Sequence, residues 1–220
     1  EPIEVPEQAD VDRFLPPIRP RFALDPKEPA ALYQMAPPAC YMEMRRSIDL
    51  AMDQTAAVFD DVEAEFEQVF GRRYGSIETV GCDDAEIVLV TTGSATSTSR
   101  MVVEKLRGQG EKVGLLKLKR FRPFPVDAIR KALAGARKVA VLDRNFCFGV
   151  GGIFAQEIRA ALCGLEPAPV MFNFIAGLGG RDIPPNLIEE IVTTTKTHAA
   201  PAEKSIWMGL NEELLESCGI

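Results

Sequence analysis

Between Glu86 and Val192 the chain alternates short apolar runs with helical segments, and that alternation confines it to one fold class. EIVLVT (86–91), KVGLLKLK (112–119), KVAVL (138–142) and PVMFNFI (169–175) read as strands. They are separated by helical patterns over 97–106, 126–133, a stretch ending at Cys163 and another ending near Val192, with Pro125 suited to a helix start. Strands spaced by helices of roughly 10–15 residues build βαβ units, hence a parallel sheet covered on both faces. The runs VLV, VAVL and VMF are continuous, as strands buried on both sides require. Ile77–Val80 is long enough only for a short edge strand.

The residues before this region follow other rules. Nine of the sixteen prolines fall within the first forty residues, which predicts an extended strap with at most short helical turns. Phe14, Leu15, Phe22, Leu24, Leu32 and Tyr33 give the strap more apolar surface than a free linker carries, so it is expected to wrap over a neighbouring domain. From Tyr41 to Gly71, Met44, Ile48, Ala51, Thr55, Val58, Val62, Phe66 and Val69 recur at spacings of three and four, the stripe of an amphipathic helix. Gly71 is its natural stop. At about 45 Å the helix is longer than a small domain's core needs, and part of it is expected to pack on another domain. Residues 196–220 read as a docking tail with a short helix containing Ile206, Trp207, Leu210, Leu214 and Leu215. The division expected is a strap (1–40), an α/β domain with a long leading helix (41–195) and a tail (196–220).

Composition removes several function classes. The net charge of −7 lacks the basic footprint of a nucleic-acid binder. Cys40, Cys82, Cys147, Cys163 and Cys218 stand far apart with no CxxC pair, so neither an iron–sulfur nor a zinc site is read here. His198 is the single histidine and sits late in the chain, which leaves no nucleophile–base pair. No run reaches the roughly 18 apolar residues of a membrane span, and the acidic, Pro-rich start is unlike a signal peptide. A cytoplasmic protein is expected. A start at Glu1, inside what reads as a linker, suggests a fragment or a processed chain.

In an open parallel sheet the loops following the strands gather at one edge, where ligands bind. Gly93, Ser94 and Thr96, with the hydroxyls up to Ser99, read either as an anion cradle at a helix start or as a capped turn, the commoner use of these residues. Gly149 and Gly151, with Gly152, match a dinucleotide fingerprint only in part, and close helix–strand approach accounts for them as simply. Gly179 and Arg181 suit an anion clamp or an inter-domain ion pair. Arg120 and Arg122 beside Phe121 and Phe124 suit a docking surface as well as a ligand site. No metal–diphosphate motif and no Walker loop is present, so no catalytic and no metal-ligating residue is assigned.

Taken in order, EVPEQADVDRFLP, LDPKEP, MDQTAAVFDDVEAEFEQVFGRRYG, EIVLVTTGSATST, KVGLLKLKRFRPFPVDAIRKAL, KVAVLDRNFCFGVGG and IAGLGGRDI resemble the alpha subunits of pyruvate:ferredoxin oxidoreductases over nearly the whole chain. The resemblance implies a domain like the C-terminal domain of transketolases. Its fold would be a three-layer α/β/α arrangement around a mostly parallel five-stranded sheet, with Ile77–Val80 as the antiparallel edge. It also implies an enzyme of anaerobic metabolism that decarboxylates pyruvate with CoA to acetyl-CoA and CO2 and reduces ferredoxin. Thiamine diphosphate, Mg and iron–sulfur clusters would belong to the whole complex and none to this segment, whose part would be structural and docking. The partners implied are other domains or subunits of the oxidoreductase, with ferredoxin and CoA at the level of the complex. The LDRNFCFGVGG stretch resembles the pyruvate branch rather than the 2-oxoglutarate branch. The alternatives are a free-standing nucleotide- or phosphate-binding α/β module and a fragment of another 2-oxoacid or thiamine-dependent enzyme.

Overall fold

The computed structural model describes residues 4–30, 35–201, 203–217 and 219. Leu32 and Tyr33 of the strap and Cys218 lie outside the described residues. The chain packs as two compact units that meet in sequence at Gly75 and Ser76, so the long helix groups with the residues before it.

The first unit is helical. α1 (Gln8–Phe14) is a short turn of helix within the strap, and α2 (Pro38–Phe70) is the long amphipathic helix, about 50 Å in length. α2 begins three residues earlier than its apolar stripe suggests, because Pro38 occupies the first helical position, where a missing N–H costs nothing. It ends at Gly71, whose φ of 66° places it in the left-handed region and whose N–H donates to the Glu67 carbonyl. Phe14 meets Phe66 and Phe70 with ring centroids 5.3 and 5.5 Å apart, edge to face. The Glu63 carboxylate accepts the backbone N–H groups of Tyr74 and Gly75, tying the chain beyond the helix back onto it. Most of the rest of the stripe faces outward: Met44, Ile48, Val58 and Val62 are 38 to 58% exposed.

The second unit is a three-layer α/β/α domain. Its strands are β1 (Ile77–Val80), β2 (Ile87–Thr92), β3 (Val113–Leu118), β4 (Lys138–Asp143), β5 (Val170–Ile175) and β6 (Ile206–Trp207), in the order β1-β3-β2-β4-β5-β6. Only β1 is antiparallel, Ile77 opposite Leu118, which agrees with the expected edge. Helices α3 (Ala95–Gly108) and α6 (Pro185–Thr197) share one core with the sheet, and α4 (Val126–Leu133) and α5 (Ile153–Leu162) share the other. Successive strand residues divide between the two cores: Leu89, Ala140 and Leu142 go to the first, Val88, Val90, Val139 and Val141 to the second. This is the physical origin of the continuous apolar runs.

The tail departs from the expectation. Ile206 and Trp207 form β6 beside Phe174 and Ile175, not part of a helix, and the helix α7 is confined to Glu212–Ser217. The sheet therefore has a sixth, two-residue strand.

Candidate functional site

β2 to β6 are parallel, so the loops that follow them leave at one edge of the sheet. The chain leaves β2 for α3 and then β3, but leaves β4 for α5 and then β5 on the other side. The connections thus diverge between the neighbouring strands β2 and β4, the topological switch point where an open α/β sheet leaves a crevice.

A buried polar knot occupies the end of β4. Asp143 is fully buried, and its carboxylate accepts N–H bonds from Phe154 and Ala155 at 2.9 and 3.1 Å, and from the side-chain amides of Asn145 and Asn173 at 3.1 and 2.9 Å. Asn173 Oδ1 accepts the Gly152 N–H at 3.0 Å and the Ser205 hydroxyl at 2.7 Å, while Asn145 Oδ1 accepts the Ile153 N–H at 2.8 Å. The N–H groups of 152 to 155, which the helix cannot satisfy itself, are all met by side chains from outside it. The helix macrodipole favours an anion here. Burial pushes the Asp143 carboxyl above its ordinary value, and the N–H donors pull in the opposite direction.

The glycines of this loop serve the same knot. A Cβ at Gly152 would lie 2.1 Å from Asp143 Oδ2, and one at Gly151 would lie 2.7 Å from Ser205 Oγ. Close approach explains both, although the surface approached is this hydrogen-bonded cluster as well as the helix–strand seam. Gly149 faces open space, and its carbonyl accepts Lys204 Nζ at 3.0 Å.

The other candidates separate into two groups. Thr96 is buried, its hydroxyl 3.0 Å from that of Thr91, and Ser99 donates to the Ala95 carbonyl, so both hydroxyls face the core and neither faces the crevice. Gly93 makes the left-handed turn that ends β2, and Gly179 a similar one after β5. Ser94 and Arg181 do come together. They line a cavity of about 260 Å³ with Thr98, Gly180, Asp182 and Arg144, the last of which donates to Ser94 Oγ at 2.9 Å. Arg144 escaped the sequence reading; its signal is a lone basic residue directly after the apolar run KVAVLD. Arg181 also donates to the Gly209 carbonyl, pinning the chain beyond β6.

Farther along the same edge lies an apolar ridge. Phe146 packs on Trp207 and Phe148, with centroids 4.7 and 5.7 Å apart. Phe148 is 90% exposed, and Val150, Trp207, Leu178 and Leu210 are each at least 38% exposed. After β3, Arg122 stacks on Phe121 at 3.9 Å and pairs with Glu157, so this basic–aromatic pair is satisfied within the domain.

A model of the pyruvate:ferredoxin oxidoreductase core domain II matches residues 85–188, the segment that carries strands β2 to β5 and the loops between them. The pyruvate synthase subunit PorA of Methanothermobacter thermautotrophicus is 46% identical over 213 residues, which cover 97% of this chain and 54% of that protein. The chain belongs to the pyruvate:ferredoxin oxidoreductase family. It spans about half the length of the curated relatives it matches. The ketoisovalerate oxidoreductase subunit VorA of Pyrococcus abyssi is 41% identical over 188 residues, 84% of this chain and 48% of that one. A 2-oxoglutarate:ferredoxin oxidoreductase from Magnetococcus marinus, solved with 2-oxoglutarate, coenzyme A and succinyl-CoA bound, is 24% identical with a TM-score of 0.49, over 72% of this chain and 24% of that one. Family membership disfavours the free-standing module.

Among the described residues no three of His, Cys, Asp and Glu converge on a point that would hold a metal ion. Cys82 is buried, and desolvation pushes its thiol up to about 11, unlike a thiolate ligand. The described cysteines do not fit an iron–sulfur cluster. No helix among the described residues is long and apolar enough to cross a membrane.

Proposed function

We propose that this chain is the structural and docking domain of a pyruvate:ferredoxin oxidoreductase alpha subunit. The complete cytoplasmic complex would convert pyruvate and CoA to acetyl-CoA and CO2 and pass electrons to ferredoxin. Thiamine diphosphate, Mg and iron–sulfur clusters would be held by its other domains and subunits. The strap, the α/β domain and the tail would divide the work as wrapping, scaffold and contact. Pyruvate is favoured over a branched 2-oxoacid because PorA relatives match 96 to 98% of this chain where VorA matches 84%.

The ridge of Phe146, Phe148, Val150 and Trp207 carries this reading. A soluble domain gains nothing by holding a phenylalanine 90% in water, and a contiguous apolar patch of this kind marks a contact surface. Phe148 has no role in the domain's own core, so Phe148→Glu tests the surface without disturbing the fold. With the chain and the remaining subunits co-expressed, the variant should keep its melting temperature and lose about tenfold or more in assembly affinity. Assembly and complex activity equal to the parent's would remove this reading.

A further inference from the structure

Four arginines of the α/β unit are matched to acids. Arg100 pairs with Glu78, Arg107 with Asp84, Arg122 with Glu157 and Arg137 with Glu86. Arg130 is spent on the carbonyls of Ala161 and Cys163, whereas Arg144 and Arg181 open onto one cavity. Arg144 donates to the Ser94 hydroxyl and Arg181 to the Gly209 carbonyl, and among the described residues neither forms an ion pair with a carboxylate. Both line the cavity at the divergence of β2 and β4, where an open sheet is built to receive a ligand. Two guanidinium forks on one cavity leave donors unused, and against the single carboxylate of Asp182 the lining keeps a net positive charge. Ser94 accepts from Arg144 through its oxygen, which leaves its own proton for an incoming acceptor. Asp182 shares the cavity wall, and one of its carboxylate oxygens is occupied by the Ile183 N–H at 2.9 Å.

We infer that this cavity binds a phosphate group, held between Arg144 and Arg181 with the Ser94 hydroxyl as a third donor. The size supports one group and not a whole nucleotide. About 260 Å³ lies below the range of roughly 300–1,000 Å³ for pockets that enclose a drug-sized ligand. The knot around Asp143 fixes the end of β4 immediately before Arg144, so one guanidinium starts from a rigid base. The site lies on this chain's own residues and does not depend on the docking reading.

The test uses the 220-residue chain titrated with inorganic phosphate at constant ionic strength, followed through the amide shifts of Ser94, Thr98 and Gly180. Saturable shifts at these positions are expected. R144Q and R181Q should each weaken binding about tenfold, while R137Q, at the opposite edge of the sheet, should change it less than about twofold. Thermal melting of each variant checks the fold, and S94A, expected to weaken binding about threefold, supplies a readout if an arginine variant unfolds. A linear drift without saturation overturns the site, as does equal weakening by R137Q. Titration with glycerol 3-phosphate separates the sources: tighter binding than inorganic phosphate assigns the site to a phosphate monoester, and equal or weaker binding to the free ion. Absence of phosphate binding would leave subunit assembly untouched, so the two readings fail separately.

Discussion

The two compact units dispose of their apolar residues in opposite ways. In the α/β unit, residues such as Phe172, Phe174, Leu115, Ile158 and Ile188 are sealed completely, each adding about 1.5–3 kcal/mol of burial. In the helical unit no described apolar side chain is buried, and in α2 the buried residue is Glu63. The amphipathic pattern is present in both. Periodicity fixes which face of an element is apolar, but only a second element on that face turns the pattern into stability.

Hydrogen exchange is the widest test of this contrast. Amides of α2 between Tyr41 and Val58 should exchange about a thousandfold or more faster than those of β2 and β4. Equal protection would mean that another surface covers the helix. A pair of glycine substitutions sharpens the comparison. Gly152→Ala sets a Cβ against the buried Asp143 carboxylate and should cost about 3 kcal/mol or more in thermal or urea unfolding. Gly71→Ala in the helical unit meets no atom within 4 Å and pays for its left-handed backbone alone, about 1–2 kcal/mol. The smallest effect concerns Glu78 on β1. The Lys119 ammonium, 2.8 Å away, and then the Arg100 guanidinium hold its carboxyl at about 2. A carboxyl lowered on folding stabilises above its unfolded value and loses that contribution as pH falls through its folded one. Glu78 should therefore contribute about 1 kcal/mol, discounted for its exposure, that disappears between about pH 4.5 and 2. In Glu78→Gln this part of the acid slope should flatten; an unchanged slope would show that the pairing adds nothing.

Much of this architecture is legible in the bare chain, for reasons that also explain the gaps. β2 to β5 announce themselves because burial on both faces demands uninterrupted apolar runs, and α4 matches its expected bounds of Val126–Leu133 because proline opens it. β6 escaped because two residues carry no periodicity; Ile206 and Trp207 become a strand only when β5 lies beside them. The crevice was half visible. Ser94 and Arg181 stand in loops rich in glycine and hydroxyls, which draw attention, whereas Arg144 is a single charge whose meaning depends on which strand its own strand adjoins. Thr96 shows the converse, a hydroxyl suited to an anion in sequence that the first turn of α3 rotates inward.

The carboxylate at the end of β4 has one consequence beyond stability. Because the start of α5 is clamped by Asp143, Asn145 and Asn173, the side chains from Phe146 to Val150 take no part in placing that helix, which the backbone bridge of Cys147 to Gly151 only assists. The exposed side chains among them, Phe148 above all, can change in character while the scaffold keeps its shape. The tip can thus be remodelled without refounding the layer beneath.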